Sequence, residues 1–333
     1  MSIEGLAVVG VGNWGKNLLR SFCSLLGEDR VIACDTDPKR LQELRSHYSS
    51  VRMTSDLTAI LNEPQVEAVV IATPAATHFT LAREALLAGK HAFVEKPIAL
   101  RSSEAQELIN LARQNRCLLM VDHLLEYHPA VERLRQLIDD GELGKILYLY
   151  SQRLNFGIVR TEENALWSLG VHDISVMLYL LGEAPQSVRA QGACYLQGKI
   201  EDLALVTLEF SKHIRAHIHL SWLDPQKVRK LTIIASRKMA IFDEAAPEKL
   251  ILLNKHVRKE GGRFSLQDEG ATPIALEDQE PLQAACQHFL TCMEKAEPPR
   301  SDGRDGLRVL QVLEAAQRSL TRDGESVSLA EVG

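Results

Sequence analysis

Apolar positions in the first 120 or so residues fall into short unbroken runs separated by amphipathic stretches. Leu6-Ala7-Val8-Val9, Val31-Ile32-Ala33-Cys34, Val66 to Ala72, His91-Ala92-Phe93-Val94 and Leu118-Leu119-Met120-Val121 read as strands. Gly15 to Leu26, Pro38 to His47, Thr77 to Ala88 and Ser102 to Asn115 read as the helices between them. Strands that are apolar throughout are buried on both faces, so this alternation predicts a parallel sheet covered by helices on both sides. After about residue 122 the pattern changes. One helix, Pro129 to Asp139, stops at Asp140-Gly141. Strands then follow almost directly on one another: Ile146 to Leu154, Ser187 to Tyr195, Leu203 to Phe210, Arg215 to Trp222, Lys230 to Ile234 and Met239 to Asp243. Their alternation predicts a mostly antiparallel sheet with one open face. Helices return at Pro281 to Lys295 and Gly303 to Leu320. The expected organisation is an α/β domain over 1–122 and an α+β domain over 123–333.

Composition agrees with this division. A chain of 333 residues suits two domains, and 45% hydrophobic with 25% charged residues is the balance of a globular protein, not a disordered or collagenous one. No apolar run reaches the roughly 18 residues of a membrane helix. Met1 to Gly5 has no basic stretch before an apolar one, so no secretory leader is expected and the cytoplasm is the expected compartment. A net charge of −6 without a basic block argues against nucleic acid as a partner. The six cysteines form no CxxC pair and read as buried thiols in a reducing compartment. The histidines are scattered, and none makes an HxxxH pair with a carboxylate at zinc spacing, so no metal is expected.

Gly10-Val11-Gly12-Asn13-Trp14-Gly15 follows a strand and opens a helix. In that context the glycines give a tight turn, Gly12 lets the backbone approach a pyrophosphate, and the helix N-terminus offers it N–H groups. Asp35, at the end of the second strand, is where a carboxylate would bond the adenosine ribose. The reading is a Rossmann domain holding a dinucleotide. No arginine directly follows Asp35, which favours NAD over NADP, although Arg40 is within reach. Glu95-Lys96-Pro97 comes just after the strand ending at Val94, at the carboxyl edge of the sheet where ligands bind in such folds. A solvated Glu-Lys pair is the plain alternative for that tripeptide taken alone.

Gly10-x-Gly12-x-x-Gly15, Ala72-Thr73-Pro74 with His78 four residues on, and Glu95-Lys96-Pro97 together resemble the glucose–fructose oxidoreductase and inositol dehydrogenase (Gfo/Idh/MocA) family, over nearly the whole chain. The resemblance implies that Thr73, Pro74, Glu95, Lys96 and Pro97 line the nicotinamide pocket, with Lys96 at the hydroxyl being oxidised, and that Asn13, Trp14 and His78 also belong to the cofactor site. It also implies that His172, on the helix opening the second domain, points at that lysine. Many members have an aspartate four residues earlier to orient the imidazole; Ser168 stands there in this chain.

Within the family, Tyr127-His128-Pro129, Asn155 to Arg160, Trp167 to Asp173 and Ser221 to Arg229 look like the nucleotide-sugar 3-dehydrogenases. That likeness implies oxidation of the C3 hydroxyl of UDP-N-acetylglucosamine, or of its C6 acid, to a 3-keto sugar that feeds amino-sugar synthesis for a cell-surface glycoconjugate. It implies Tyr127, Asn155, Arg160, Trp167 and His172 as substrate residues. A diphosphate wants guanidinium and ammonium donors, for which Arg153, Arg160, Lys227 and Arg229 are candidates. An imidazole titrates near neutrality and suits the proton acceptor, while a lysine ammonium suits the developing alkoxide; the converse, with Lys96 as base, stays open. Other sugar or inositol dehydrogenases and a non-catalytic NAD-binding sensor are the alternatives. The open sheet face, with Ile218, Leu220 and Trp222, is expected to bury against a second subunit, giving a homodimer or homotetramer.

Overall fold

The computed structural model describes residues 3–332; Met1 and Ser2, part of the stretch read for a leader, and Gly333 lie outside the described residues. The chain forms two compact units. One contains the residues up to Tyr127 together with Gln279–Leu310, the other His128–Asp278 together with the residues from Gln311 onward.

The first unit begins β1 (Leu6–Val9), α1 (Gly15–Leu26), β2 (Val31–Cys34), α2 (Pro38–Arg45), β3 (Arg52–Thr54), α3 (Leu57–Leu61), β4 (Ala68–Ile71), α4 (His78–Leu87), β5 (His91–Val94), α5 (Ser102–Asn115) and β6 (Leu119–Val121). The strands form one sheet in the order β3-β2-β1-β4-β5-β6, every pairing parallel. This is the Rossmann topology, and strand order reverses between β1 and β4, where the carboxyl ends open a crevice. All four residues of β1, β2 and β4 are buried, which is why they read as unbroken apolar runs. β3 escapes a reading by pattern because Arg52-Met53-Thr54 is a short edge strand with no apolar run.

The second unit contains α6 (Pro129–Asp139), β7 (Ile146–Phe156), α7 (Val171–Leu181), β8 (Ser187–Ala193), β9 (Leu203–Glu209), β10 (Arg215–Ser221), β11 (Leu223–Ala235), β12 (Met239–Asp243), β13 (Leu250–Glu260) and β14 (Arg263–Pro273). The chain ends with α8 (Pro281–Lys295), α9 (Gly303–Leu320) and β15 (Val327–Ser328). The sheet runs β14-β13-β12-β11-β7-β10-β9-β8-β15, antiparallel throughout except for the parallel pair β7 and β10. One face is buried through Val188, Ala190, Val206, Leu208, Ala216, Ile218 and Leu220. The other exposes Tyr148, Tyr150, Leu205 and His217. The expected interface residues therefore need correcting. Ile218, Leu220 and Trp222 are buried within the unit, and the Trp222 indole N–H donates to Asp202 Oδ1 at 2.7 Å. Alternation identified the two faces but not which of them the helices cover.

Two further differences concern the chain after 243. β13 and β14, absent from the pattern reading, form a long ribbon that is mostly exposed, so no burial periodicity marks it. Its signal is Gly261-Gly262, both at positive φ in the turn. The helix α8 belongs to the first unit. Phe289 packs edge-on against Phe93 at 5.4 Å, and Phe93 against Phe22 of α1 at 5.9 Å. A helical periodicity shows that a face is buried, not what it is buried against. The cysteines are unpaired; Cys34, Cys286 and Cys292 are buried, Cys23 and Cys117 partly so, and Cys194 is exposed, against the expectation of six buried thiols. Among the described residues no helix is long and apolar enough to cross a membrane.

Candidate active site

The glycine turn after β1 is built for a close approach. Gly10 has φ +85° and lies so near the next strand that a Cβ there would come within 2.8 Å of Ala72 O. A Cβ on Gly15 would lie 1.8 Å from Gly10 O, so α1 can start here only with glycine. Gly12 is different: a Cβ would meet only the Arg40 guanidinium, at 3.3 Å, and its outer side is open. No side chain caps α1 and no acid occupies its first turn, so its positive end suits a pyrophosphate. Asn13 and Trp14 are exposed beside it. Asp35 Oδ2 accepts Val11 N–H and Oδ1 accepts Asp37 N–H, each at 2.9 Å, and Arg40 Nη1 stands 3.3 Å from Oδ2. The buried carboxylate thus ties the glycine turn to the end of β2, and Oδ1, with a single donor, keeps a second lone pair for a ribose hydroxyl.

The segments after β4 and β5 are joined by one imidazole. His78 Nε2 lies 2.8 Å from Thr73 O, and its Nδ1 lies 2.7 Å from Pro97 O. Burial lowers its pKa; the two carbonyls act in the opposite sense, and the Lys96 charge adds to the lowering. His78 is 1% exposed, so it holds the two segments from behind and does not itself face an open pocket, as had been expected of it. Thr73 Oγ1 bonds Thr77 Oγ1 at 2.7 Å, and Pro74 starts the turn that leads into α4. The Lys96–Pro97 peptide bond is cis, Pro97 is buried, and the Lys96 side chain is half-buried. Glu95 is buried beneath it, with Oε2 accepting Lys96 N–H at 3.1 Å. Asp122, one residue past β6, occupies the place that Glu95 occupies past β5. Its place directly after the apolar run Leu119–Val121 is the mark it leaves in the sequence.

Tyr127 also departs from expectation. It is 2% exposed, its hydroxyl is 3.0 Å from Ser301 Oγ, and the Arg300 guanidinium lies over its ring at 4.7 Å. It is a core residue of the first unit. Beside it, His123 Nδ1 stands 2.8 Å from Asp305 Oδ2 and 3.4 Å from Glu126 Oε1, all three side chains buried. Burial opposes charge on His123, but hydrogen bonds to Asp305 and Glu126 overcome it and raise the pKa to about 9. The imidazole nitrogen and carboxylate oxygens of the three lie within 4.8 Å of one another. Arg308 stands 2.8 Å from Asp305, and burial with the Asp305 charge pushes Glu126 up to about 8.

In the second unit, Arg153 Nε lies 2.6 Å from Asp173 Oδ2 and Nη2 lies 2.8 Å from Glu244 Oε1. Arg229 leans on the other oxygen of Glu244 at 3.5 Å. Arg153 is thus a buried ion-pair residue and Arg229 shares its carboxylate, whereas Arg160 and Lys227 are exposed. Arg160 Nε stands 3.8 Å from Glu163, and its carbonyl accepts from Gln197 at 2.7 Å. Asn155, near the end of β7, has a buried Oδ1 with no hydrogen-bond partner. The Trp167 indole N–H donates to Gln317 Oε1 at 3.0 Å, and Asn164 donates to the same oxygen at 2.9 Å. Leu166–Gly170 is a π-helical turn leading into α7. The wider turn takes Trp167, partly exposed, off the buried stripe of Val171, Ile174 and Leu178, and it places Ser168 out of the i,i+4 relation to His172. His172 is half-buried in the first turn of α7, and its neighbour Asp173 is committed to Arg153.

Comparison with known proteins agrees with these features. The family model GFO_IDH_MocA, "Oxidoreductase family, NAD-binding Rossmann fold", matches residues 5–123, and the GFO/IDH/MocA C-terminal domain model matches residues 131–241. UDP-N-acetylglucosamine 3-dehydrogenase from Acidithiobacillus ferrooxidans is 28% identical over 304 residues, covering 91% of this chain and 93% of that protein. A solved structure of that enzyme, GnnA, superposes with a TM-score of 0.84 at 26% identity, covering 96% of this chain and 97% of its own. D-apiose dehydrogenase from Paraburkholderia graminis is 25% identical over 340 residues, covering 97% and 89%.

Proposed function

Because this chain belongs to the Gfo/Idh/MocA family of oxidoreductases, with its NAD-binding Rossmann domain, we propose that it oxidises the C3 hydroxyl of a UDP-N-acetylhexosamine, UDP-N-acetylglucosamine first, to the 3-keto sugar. The observation that carries the reading is Lys96: a half-buried ammonium on a segment pinned by His78 and Pro97, at the carboxyl edge of the sheet that holds the glycine turn. The choice of sugar leans on the likeness to the A. ferrooxidans enzyme over 91% of this chain.

Bound NAD would supply the hydride acceptor for C3. The glycine turn and the start of α1 hold its pyrophosphate, Asp35 its ribose, and Thr73, Pro74, Glu95, Lys96 and Pro97 shape the nicotinamide end. Lys96 stabilises the alkoxide that develops as the hydride leaves, and His172 accepts the hydroxyl proton. Arg160 and Lys227 are the cations left to meet the diphosphate, with Asn155 and Trp167 at the sugar. A second reading is oxidation of another sugar, which the likeness to D-apiose dehydrogenase supports.

The deciding experiment follows NADH formation with UDP-N-acetylglucosamine, its C6 acid, free hexoses, D-apiose and inositol, with and without 2-oxoglutarate as a co-oxidant for tightly held NADH. Turnover with UDP-N-acetylglucosamine above all others is the expected result. Turnover confined to a free sugar would overturn the nucleotide-sugar reading and leave the oxidoreductase.

A further inference from the structure

The carboxyl ends of β5 and β6 carry one acid each, Glu95 and Asp122. The parallel register pairs Val94 with Val121, so the next residue on each strand stands beside the other in the same phase of the pleat. Asp122 N–H donates to Val94 O at 2.8 Å, extending the ladder past the strands. Both side chains are buried, Asp122 completely. Lys96 N–H serves Glu95 Oε2, but no donor in hydrogen-bond geometry reaches Glu95 Oε1 or either oxygen of Asp122. Two ionised carboxylates here would place like charges side by side and leave those buried acceptors unsatisfied, both costly. One proton removes the repulsion and engages two of the three open oxygens: the protonated acid donates to its neighbour, and the pair carries a single charge. The surroundings support that count. Burial raises both acids; the charge of Asp122 and a hydrogen bond with it raise Glu95 further, whereas that bond, with His123, the Trp14 indole and Lys96, favours the negative charge on Asp122. Cys286 on α8 also faces the pair, and burial and the two acids hold its thiol neutral.

We propose that Glu95 and Asp122 share one proton as a carboxylic acid–carboxylate pair, and that its single negative charge is a positioning device for the Lys96 ammonium. The proposal rests on the reading of Lys96 as the residue at the reacting oxygen. With one charge behind it, the ammonium is held at the segment and remains free to turn to the substrate oxygen. With two, it would be drawn onto the carboxylates; with none, it would lose its proton more readily. Asp122→Asn keeps the single charge, because the new amide can donate to Glu95 Oε1 in place of the shared proton. Removing both acids abolishes the charge.

Two substrate-free measurements on the full chain test this, so a wrong assignment of the sugar leaves them untouched. In the infrared difference spectrum of the unmodified protein minus Asp122→Asn at neutral pH, where other buried acids such as Glu126 cancel, a protonated-carboxyl C=O band should remain. A difference spectrum without that band overturns the shared proton. The pH at which Lys96 becomes reactive to acetic anhydride, read by peptide mass spectrometry, should be unchanged in Asp122→Asn and lower in Glu95→Gln/Asp122→Asn. An unchanged profile in the double variant overturns the positioning role. Should the double variant not fold, Glu95→Gln alone takes its place: Asp122 then retains the one charge, so Lys96 should keep its profile, and a shift overturns the shared-charge account.

Discussion

Arg153 Nε and Asp173 Oδ2 stand 2.6 Å apart, both side chains buried in the second unit, with Glu244 closing the other end of the guanidinium. The pairing decides two assignments at once. It withdraws Arg153 from any phosphate, and it withdraws Asp173 from His172. Asp173→Asn leaves the guanidinium paired with Glu244 alone, so it should cost about 1.5–3 kcal/mol in urea unfolding, the scale of a lost charged hydrogen bond. Affinity for UDP should hold in the folded fraction. Normal stability with weakened UDP binding would instead place Arg153 at the diphosphate.

The Asp35 carboxylate holds the glycine turn through Val11 N–H and lies where a 2′-phosphate would come. NAD should therefore bind more tightly than NADP in a fluorescence titration. Asp35→Ala should weaken NAD and narrow the gap. Equal affinities in the unmodified protein would mean that Arg40, near the same carboxylate, reverses its effect.

Lys96→Met should keep the fold and NAD affinity and lose roughly 10²–10⁴ in turnover, the scale for an electrostatic or acid–base group. Near-normal turnover would return Lys96 to a surface role.

His172→Gln should depress kcat with substrate affinity retained, and the acidic limb of the pH–rate profile should go with it. If that limb survives, another group takes the proton, with Lys96 first in line.

His128 caps α6 by accepting Ala130 N–H on Nδ1 at 3.0 Å, which only the neutral ring can do. Burial, with help from Lys249, lowers its pKa to about 4. The unfolded chain takes up this proton near 6.5, so the stabilisation is complete above about 6.5 and is lost as pH falls toward 4. His128→Asn keeps an acceptor at the cap and cannot titrate. Its urea stability should fall less steeply over that range, by one proton's worth; an unchanged slope would assign the acid sensitivity to other groups.

The sequence by itself determined the elements whose physics is local. β1, β2 and β4 are legible because residues buried on both faces must all be apolar. The glycine turn is legible because its backbone excludes a Cβ at residues 10 and 15. The Lys96 segment is legible because its place after a strand puts it at the sheet's carboxyl edge. Helix bounds at Pro129–Asp139, Pro281–Lys295 and Gly303–Leu320 agree with the pattern, since a proline start or a periodic stripe is written in the sequence around each of them. What tertiary structure decided is which groups meet. Glu244 reaches Arg153 from 91 positions away, and α8 returns to a sheet whose last strand ended long before it began. Tyr127 turns from a candidate at the substrate into core, and Ile218, Leu220 and Trp222 turn inward from an expected interface. A charge or a ring carries no mark in the sequence of the partner that will satisfy it. The energy of burying it depends on that partner, and the partner is supplied only when distant strands and helices pack.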